Sequence, residues 1–159
     1  MIFLTVGSSI PFDRLVRAVD ELVGQGLLRD VQAQIGEGAY EPRHMAFERF
    51  LDKPQYDRRV DEATALIGHA GAGTISMALE RRKPLLVMPR LKRHGEIVND
   101  HQVATARTFA RLGHILVARD VDELRAGAAQ LGAFVPRVRE PRARDLARRI
   151  GDFLRTVPD

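Results

Sequence analysis

The sequence predicts an α/β domain in which an open parallel sheet of six strands carries helices on both faces. Three observations carry that prediction. Short apolar runs rich in Val, Ile and Leu alternate along the chain with longer segments of helical periodicity. Several of the short runs, LLVM (85–88) among them, are apolar without alternation, as strands covered on both faces are. The β–α order also repeats without a break, which calls for right-handed crossovers between parallel neighbours. The 159 residues, 45% of them hydrophobic, suit one domain over 1–159 with a single substantial interior.

Each element has its own reason. IFLTV (2–6) is the first strand, and a helix over 12–24 follows with Leu15, Val16, Val19, Leu22 and Val23 on one face. VQAQI (31–35) and AFERFL (46–51) are the second and third strands, and a helix over 55–63 comes next. ALIG (65–68), a helix over 74–82, LLVM (85–88), a helix over 97–112, ILVA (115–118) and a helix over 121–131 complete the alternation. A last helix, over 142–155 within a basic amphipathic segment at about 141–156, puts Leu146, Ile150, Phe153 and Leu154 on one stripe.

Composition removes several classes of function. There is no cysteine, so disulfides, thiolate metal sites and a cysteine nucleophile are excluded. No apolar run is long enough to span a bilayer, and Met1-Ile2-Phe3 leads directly into a strand with no secretory leader, so a cytoplasmic chain is expected. Net charge is +4, and only three of the 25 basic residues are lysines. Residues 137–155 hold seven arginines against three acids. They form either a solvated helix face or a surface for an anionic membrane, a partner or nucleic acid. With 6% aromatics and no Trp, the chain has little on which to stack bases, and nucleic acid is not an expected partner.

In an open parallel sheet, ligands bind beyond the carboxyl ends of the strands. Three loops at those ends carry unusual chemistry. In GHAGAGT (68–74), Gly71 and Gly73 leave room for a ligand against the main chain, and the helix beginning near Thr74 offers free N–H groups. Such a helix start favours an anion by about 0.3–2 kcal/mol. Close strand–helix packing is the alternative use of the same glycines. The spacing is neither GxGxxG nor that of a P-loop, and no lysine follows. In TVGSSIPFDRL (5–15), Gly7 permits a sharp turn, and Ser8 and Ser9 offer hydroxyls; Ser9 is equally suited to capping the next helix. In PRLKRHGEIVNDHQ (89–102), Arg90, Lys92 and Arg93 suit a diphosphate or simple exposure at the surface, Asn99 or Asp100 suits a helix cap, and His101 and Gln102 suit vicinal hydroxyls. His94, Glu96, Asp100 and His101 match no standard metal spacing, so no metal is expected. The DxD at 120–122, with Glu123 following, reads as a helix cap.

Taken in order, TVGSSIPFDRL, QIGEG (34–38), HAGAGT with ALERRKP (78–84), and GEIVNDHQ (95–102) resemble the UDP-sugar-binding half of the family 28 GT-B glycosyltransferases. The likeness runs over roughly residues 2–118. It is nearest to the short stand-alone members: the soluble subunit of the bipartite dolichol-pathway N-acetylglucosaminyltransferase and its bacterial counterparts in exopolysaccharide synthesis. The resemblance implies a single Rossmann-like domain, half of a GT-B fold. It also implies that Ala70, Gly71, Ala72, Gly73 and Thr74, with His69 beside them, hold the UDP phosphates. Phe50 and Leu51 match the loop that pairs with uracil, His101 and Gln102 the pair that reads the sugar hydroxyls, and Gly7, Ser8 and Ser9 the loop facing the diphosphate and acceptor. Arg90 belongs to the same donor site. By the same resemblance, the lipid II-forming relatives and the eukaryotic subunit carry a ribose-binding Glu where this chain has Met77, whereas the bacterial exopolysaccharide members tolerate similar sequences. Glu80, the alternative ribose contact, lies one turn further on, about 4.5 Å along the axis.

The function so implied is transfer of a sugar from a UDP-sugar to a polyprenyl-diphosphate-linked acceptor. The chain would be the donor-binding subunit, without cofactor or metal. A membrane-anchored partner would hold the lipid-linked acceptor, supply the general base, and recruit this chain to the inner face of the membrane. A non-catalytic nucleotide-binding scaffold or sensor of the same fold is the alternative.

Overall fold

The computed structural model describes residues 1–138, and the basic helix expected at about 141–156 lies outside them. The strands are β1 (Ile2–Thr5), β2 (Val31–Gln34), β3 (Ala46–Glu48), β4 (Ala65–His69), β5 (Leu85–Met88) and β6 (Leu116–Val117). They form one sheet in the order β3-β2-β1-β4-β5-β6, with every neighbouring pair parallel. The helices are α1 (Asp13–Gly24), α2 (Lys53–Glu62), α3 (Ala72–Glu80), α4 (His101–Arg111) and α5 (Val121–Leu131).

The non-alternating strands do serve two interiors at once. Leu4, Ile67, Leu86 and Met88 face α1 and α5, where Leu15, Val19, Leu124 and Leu131 meet them. Their chain neighbours Phe3, Leu66, Leu85 and Val87 face the opposite side, packing with Val60 of α2, Ile75 and Ala78 of α3, and Ala106 of α4. Each such aliphatic side chain contributes about 1.5–3 kcal/mol by leaving water.

The sheet runs one way from β1 through β2 to β3, and the other way from β1 through β4 to β6. The order reverses between β1 and β4, whose last paired residues are Thr5 and Gly68. A crevice opens at such a switch point because the flanking connections depart to opposite sides. The connections 6–12 and 70–71 both start there.

Boundaries differ from expectation where polar side chains intervene. The third strand stops at Glu48 and not at residue 51, because Asp52 and Gln55 form a reciprocal capping box that starts α2 at Lys53. The fourth helix starts at His101 and not at 97. Gly95 turns the chain with φ +69° after the 3-10 turn Lys92–His94, and Asp100 spends its carboxylate on the Lys92 N–H at 2.8 Å. Asp120 accepts the Glu123 N–H at 2.9 Å and caps α5, the role its DxD setting suggests.

Candidate functional site

The three glycines of GHAGAG serve three different needs. A Cβ on Gly68 would stand 2.9 Å from the Thr5 carbonyl oxygen, so that glycine lets β1 and β4 lie close to α3. A Cβ on Gly71 would stand 2.3 Å from His69 Cε1, so Gly71 makes room for the imidazole. Nothing lies within 4 Å of a Cβ on Gly73. Its bare backbone faces a cleft.

Helix α3 begins at this point with Gly71 as its cap residue and no side-chain hydrogen bond to close it. The N–H groups of its first turn therefore have no intrahelical carbonyl and carry the positive end of the helix dipole. The first turn holds no acidic residue. It is an open, electropositive helix end.

His69 holds the turn from below. The Gly71 N–H donates to its Nδ1 at 3.1 Å, so the ring proton sits on Nε2, which lies 3.1 Å from the Thr74 hydroxyl. Burial, and then the nearby positive charge of Arg90, pushes the imidazole down to about 4. At neutral pH it is an uncharged brace.

Arg90 and Gln102 continue the network. Gln102, 4% exposed, accepts the Arg90 backbone N–H on Oε1 at 3.1 Å and turns its amide nitrogen toward His69 Nδ1 at 3.4 Å. Arg90 is 2% exposed, and its Nη2 donates to the carbonyls of Val6 (2.8 Å) and Ile10. Its guanidinium lies 4.8 Å from the centre of the Phe12 ring, while Arg14 lies 5.2 Å from the same ring. Burial lowers Arg90 to about 10, with Glu96 opposing the fall, so it stays a cation. Arg14 in turn grips Glu96 at 2.7 and 2.9 Å, and Glu96 accepts the Leu91 N–H at 2.9 Å. Burial alone would raise the Glu96 carboxyl; these hydrogen bonds and the Arg14 charge bring it below its ordinary value.

The cleft itself has a volume of about 550 Å³. One wall is the Gly7–Ser8 turn, where Gly7 has φ +77°. The second wall is Phe50 and Leu51, with Lys53, Tyr56 and Asp57 of α2 behind them. The third is α3, which presents Gly73, Thr74, Met77 and Glu80, with Arg81 just past its end. Gln34 closes the floor. Met77 is half-buried on this wall, and Glu80, one turn on, is exposed.

Of the sequence-predicted residues, the cleft brings together Gly7, Ser8, Phe50, Leu51, Gly73, Thr74 and Glu80. Ser9 is exposed and does not cap α1, whose cap residue is Phe12 with no side-chain bond. Ala70 is buried in the interior beneath the turn, and Ala72 is exposed at the first position of α3. His69, Arg90 and Gln102 form the brace behind the cleft wall. His101 is exposed at the start of α4, where Asn99 accepts its backbone N–H at 3.1 Å and also meets its ring. Sequence reasoning did not find Gln34, Lys53, Tyr56, Asp57 and Arg81. The Asp52–Gln55 capping pair was the available signal for α2. Asp57 bonds Lys53 and accepts Arg81 Nη2 at 2.9 Å; the Lys53 hydrogen bond is the leading cause that holds its carboxyl below the ordinary value. Among the described residues, no three His, Asp or Glu side chains gather as metal ligands, and no helix is long and apolar enough to cross a membrane.

Comparison with known proteins bears on this architecture. The model of the glycosyltransferase family 28 C-terminal domain matches residues 1–136. The UDP-N-acetylglucosamine transferase subunit ALG13 of Eremothecium gossypii is 30% identical over 164 residues, covering 80% of this chain and 78% of that protein. The human protein of the same name is 33% identical over 125 residues, covering 72% of this chain but 10% of its own length. Among solved structures, the solution structure of ALG13 has a TM-score of 0.59 at 21% identity and covers 92% of each chain. The kitacinnamycin glycosyltransferase has a TM-score of 0.61 at 23% identity, covering 97% of this chain and 38% of that one. Acinetobacter baumannii MurG gives 0.54 at 18%, covering 98% and 49%. These structures share the fold.

Proposed function

The chain belongs to the glycosyltransferase family 28 C-terminal domain family, and from that premise we propose that it is the donor-binding subunit of a bipartite glycosyltransferase. The reaction is transfer of a sugar from a UDP-sugar to a polyprenyl-diphosphate-linked acceptor, as in exopolysaccharide or glycan synthesis. One observation carries the reading. The uncapped start of α3, the Gly7–Ser8 turn and the Phe50–Leu51 loop open on the same cleft, at the switch point of the sheet.

In this reading the diphosphate lies against the N–H groups of Ala72, Gly73 and Thr74, and the base pairs with the backbone of the Phe50–Leu51 loop. His101 meets the sugar from its exposed position, while Gln102 works from behind by holding His69 and Arg90. The departing UDP gains negative charge as the glycosidic bond breaks, and fixed N–H groups stabilise that charge without reorganising. The subunit thus positions the donor and favours its leaving group. A general base must take the proton of the acceptor hydroxyl. A membrane-anchored partner supplies it, together with the acceptor site, and the basic segment 137–155 helps to bring the two together at the membrane.

Calorimetry of the full chain with UDP, UDP-N-acetylglucosamine and a short oligonucleotide tests the reading. It expects saturable binding of the two nucleotides and none of the oligonucleotide; absence of UDP binding overturns it. Met77, apolar where relatives carry a ribose-binding Glu, favours a second reading as a nucleotide-binding scaffold or sensor. UDP binding by the chain without sugar transfer once it is co-expressed with its acceptor-binding partner would select that one.

A further inference from the structure

Gln34, the first residue of the QIGEG stretch (34–38), closes the floor of the cleft with a side chain whose bonds reach two of its walls. Gln34 ends β2, directly opposite Thr5, the last residue of β1. It is 3% exposed, and its carboxamide is fully used. Oε1 accepts the Thr5 hydroxyl at 2.9 Å, and that hydroxyl oxygen in turn accepts the Gly7 N–H at 3.3 Å. Nε2 donates to two carbonyls, Gly7 at 3.1 Å and Arg49 at 3.1 Å.

One carbonyl belongs to the Gly7–Ser8 wall of the cleft, and the other immediately precedes the Phe50–Leu51 wall. Gly7 precedes Ser8 in the turn beneath the diphosphate position, and Arg49 precedes Phe50 and Leu51 in the loop assigned to the base. Few side chains can make this bridge. It requires one acceptor and two donors on a single planar group at the end of a two-carbon stem. Glu lacks the donors, Lys and Arg lack the acceptor, and Asn is one methylene short. The Arg49 carbonyl is further fixed by the Gly36 N–H at 2.8 Å, so the bridge ties a strand-bound loop to the glycine turn.

We propose that Gln34 is a positioning residue for the donor site, setting the separation between the diphosphate-binding turn and the base-binding loop through one carboxamide. The inference rests on the donor-binding reading given above. A nucleoside diphosphate spans both walls, so its affinity depends on their spacing, and a displacement of an ångström is enough to weaken it.

The test measures UDP affinity of the full chain and of two variants. Gln34→Met keeps the length and burial of the side chain and removes all three bonds; UDP should bind roughly ten- to a hundredfold more weakly. Gln34→Glu points a carboxylate at two carbonyl oxygens. Burial and those oxygens raise the pKa of the new carboxyl, and once protonated it regains one donor. The ratio of variant to wild-type dissociation constants should therefore shrink as pH falls from 8 to 5. A merely structural role would not produce that trend. Amide resonances of the ligand-free Gln34→Met chain give an independent readout: Gly7–Ser8 and Phe50–Leu51 should shift together. Wild-type UDP affinity in Gln34→Met, a pH-independent ratio in Gln34→Glu, or shifts confined to one wall would overturn the role of Gln34 alone. Failure of the wild-type chain to bind UDP overturns the donor reading itself.

Discussion

Two strand-to-helix turns meet at the switch point, and they are built in opposite ways. The β1–α1 connection takes seven residues, 6–12, whereas β4 passes into α3 through only Ala70 and Gly71. Neither helix has a side-chain cap. Yet the start of α1 is already occupied by the protein's own groups: Asp13 sits in its first turn with its carboxylate on the Ala39 N–H at 3.1 Å, and the buried Phe12 ring at its cap carries the Arg14 and Arg90 guanidiniums. The start of α3 has no acid in its first turn, and Gly73 opens onto the cleft. A helix N-terminus becomes an anion site only when nothing of the protein's own fills it. Of two neighbouring helix starts, α3 alone meets that condition.

The largest expected effect comes from making α3 resemble α1. Gly73→Asp introduces an acid into the first turn where its Cβ meets nothing, so the fold should melt as before. A carboxylate competing with the diphosphate should weaken UDP binding by about a hundredfold, close to 3 kcal/mol. Calorimetry together with a melting curve separates the two effects.

Next comes the brace beneath α3. The folded pKa of His69, about 4, lies below its ordinary 6.5, so the folded state favours the neutral ring. Its stabilising effect is complete above pH ~6.5 and is lost as pH falls toward 4, up to about 3 kcal/mol. Urea denaturation at several pH values should show that decline, and His69→Gln should flatten it. An equally steep profile in the variant would remove the role given to the neutral imidazole.

Gly71→Ala tests the division of labour within the glycine turn. The added methyl runs into the His69 ring, and overpacking of this kind costs about 1–3 kcal/mol. The melting temperature should drop for Gly71→Ala and not for Gly73→Ala, although the two positions are two residues apart. The smallest change is a gain. Met77→Glu places a carboxylate on the cleft wall, within the reach expected of a ribose in the proposed donor pose, and should tighten UDP binding about fivefold, near 1 kcal/mol. Binding unchanged by this substitution would mean that the ribose lies elsewhere.

The sequence announces the sheet because its central strands must be apolar on both faces; Leu85 to Met88 are all buried, and no half-exposed strand would read that way. It announces the glycine turn because bare backbone between a strand and a helix is a local property. It does not announce which glycine faces a ligand, since only packing separates Gly71, filled by His69, from Gly73, left open. The α2 wall was hidden for a related reason. Phe50 and Leu51 read as a continuation of a strand until the Asp52–Gln55 cap is recognised, and only then do Tyr56 and Asp57 come to face α3. Gln102 shows the deeper limit. An amide at a helix start suits a sugar hydroxyl or a buried backbone N–H equally well, and the choice lies in the tertiary placement of Arg90.

The most direct test of the central claim is a titration of the full chain with UDP followed by backbone amide resonances. Diphosphate binding at the start of α3 should give the largest shifts at Ala72, Gly73 and Thr74, saturating with the calorimetric affinity, and little change at Asp13 and Arg14. Shifts concentrated at the start of α1, or none at either helix start, would contradict it.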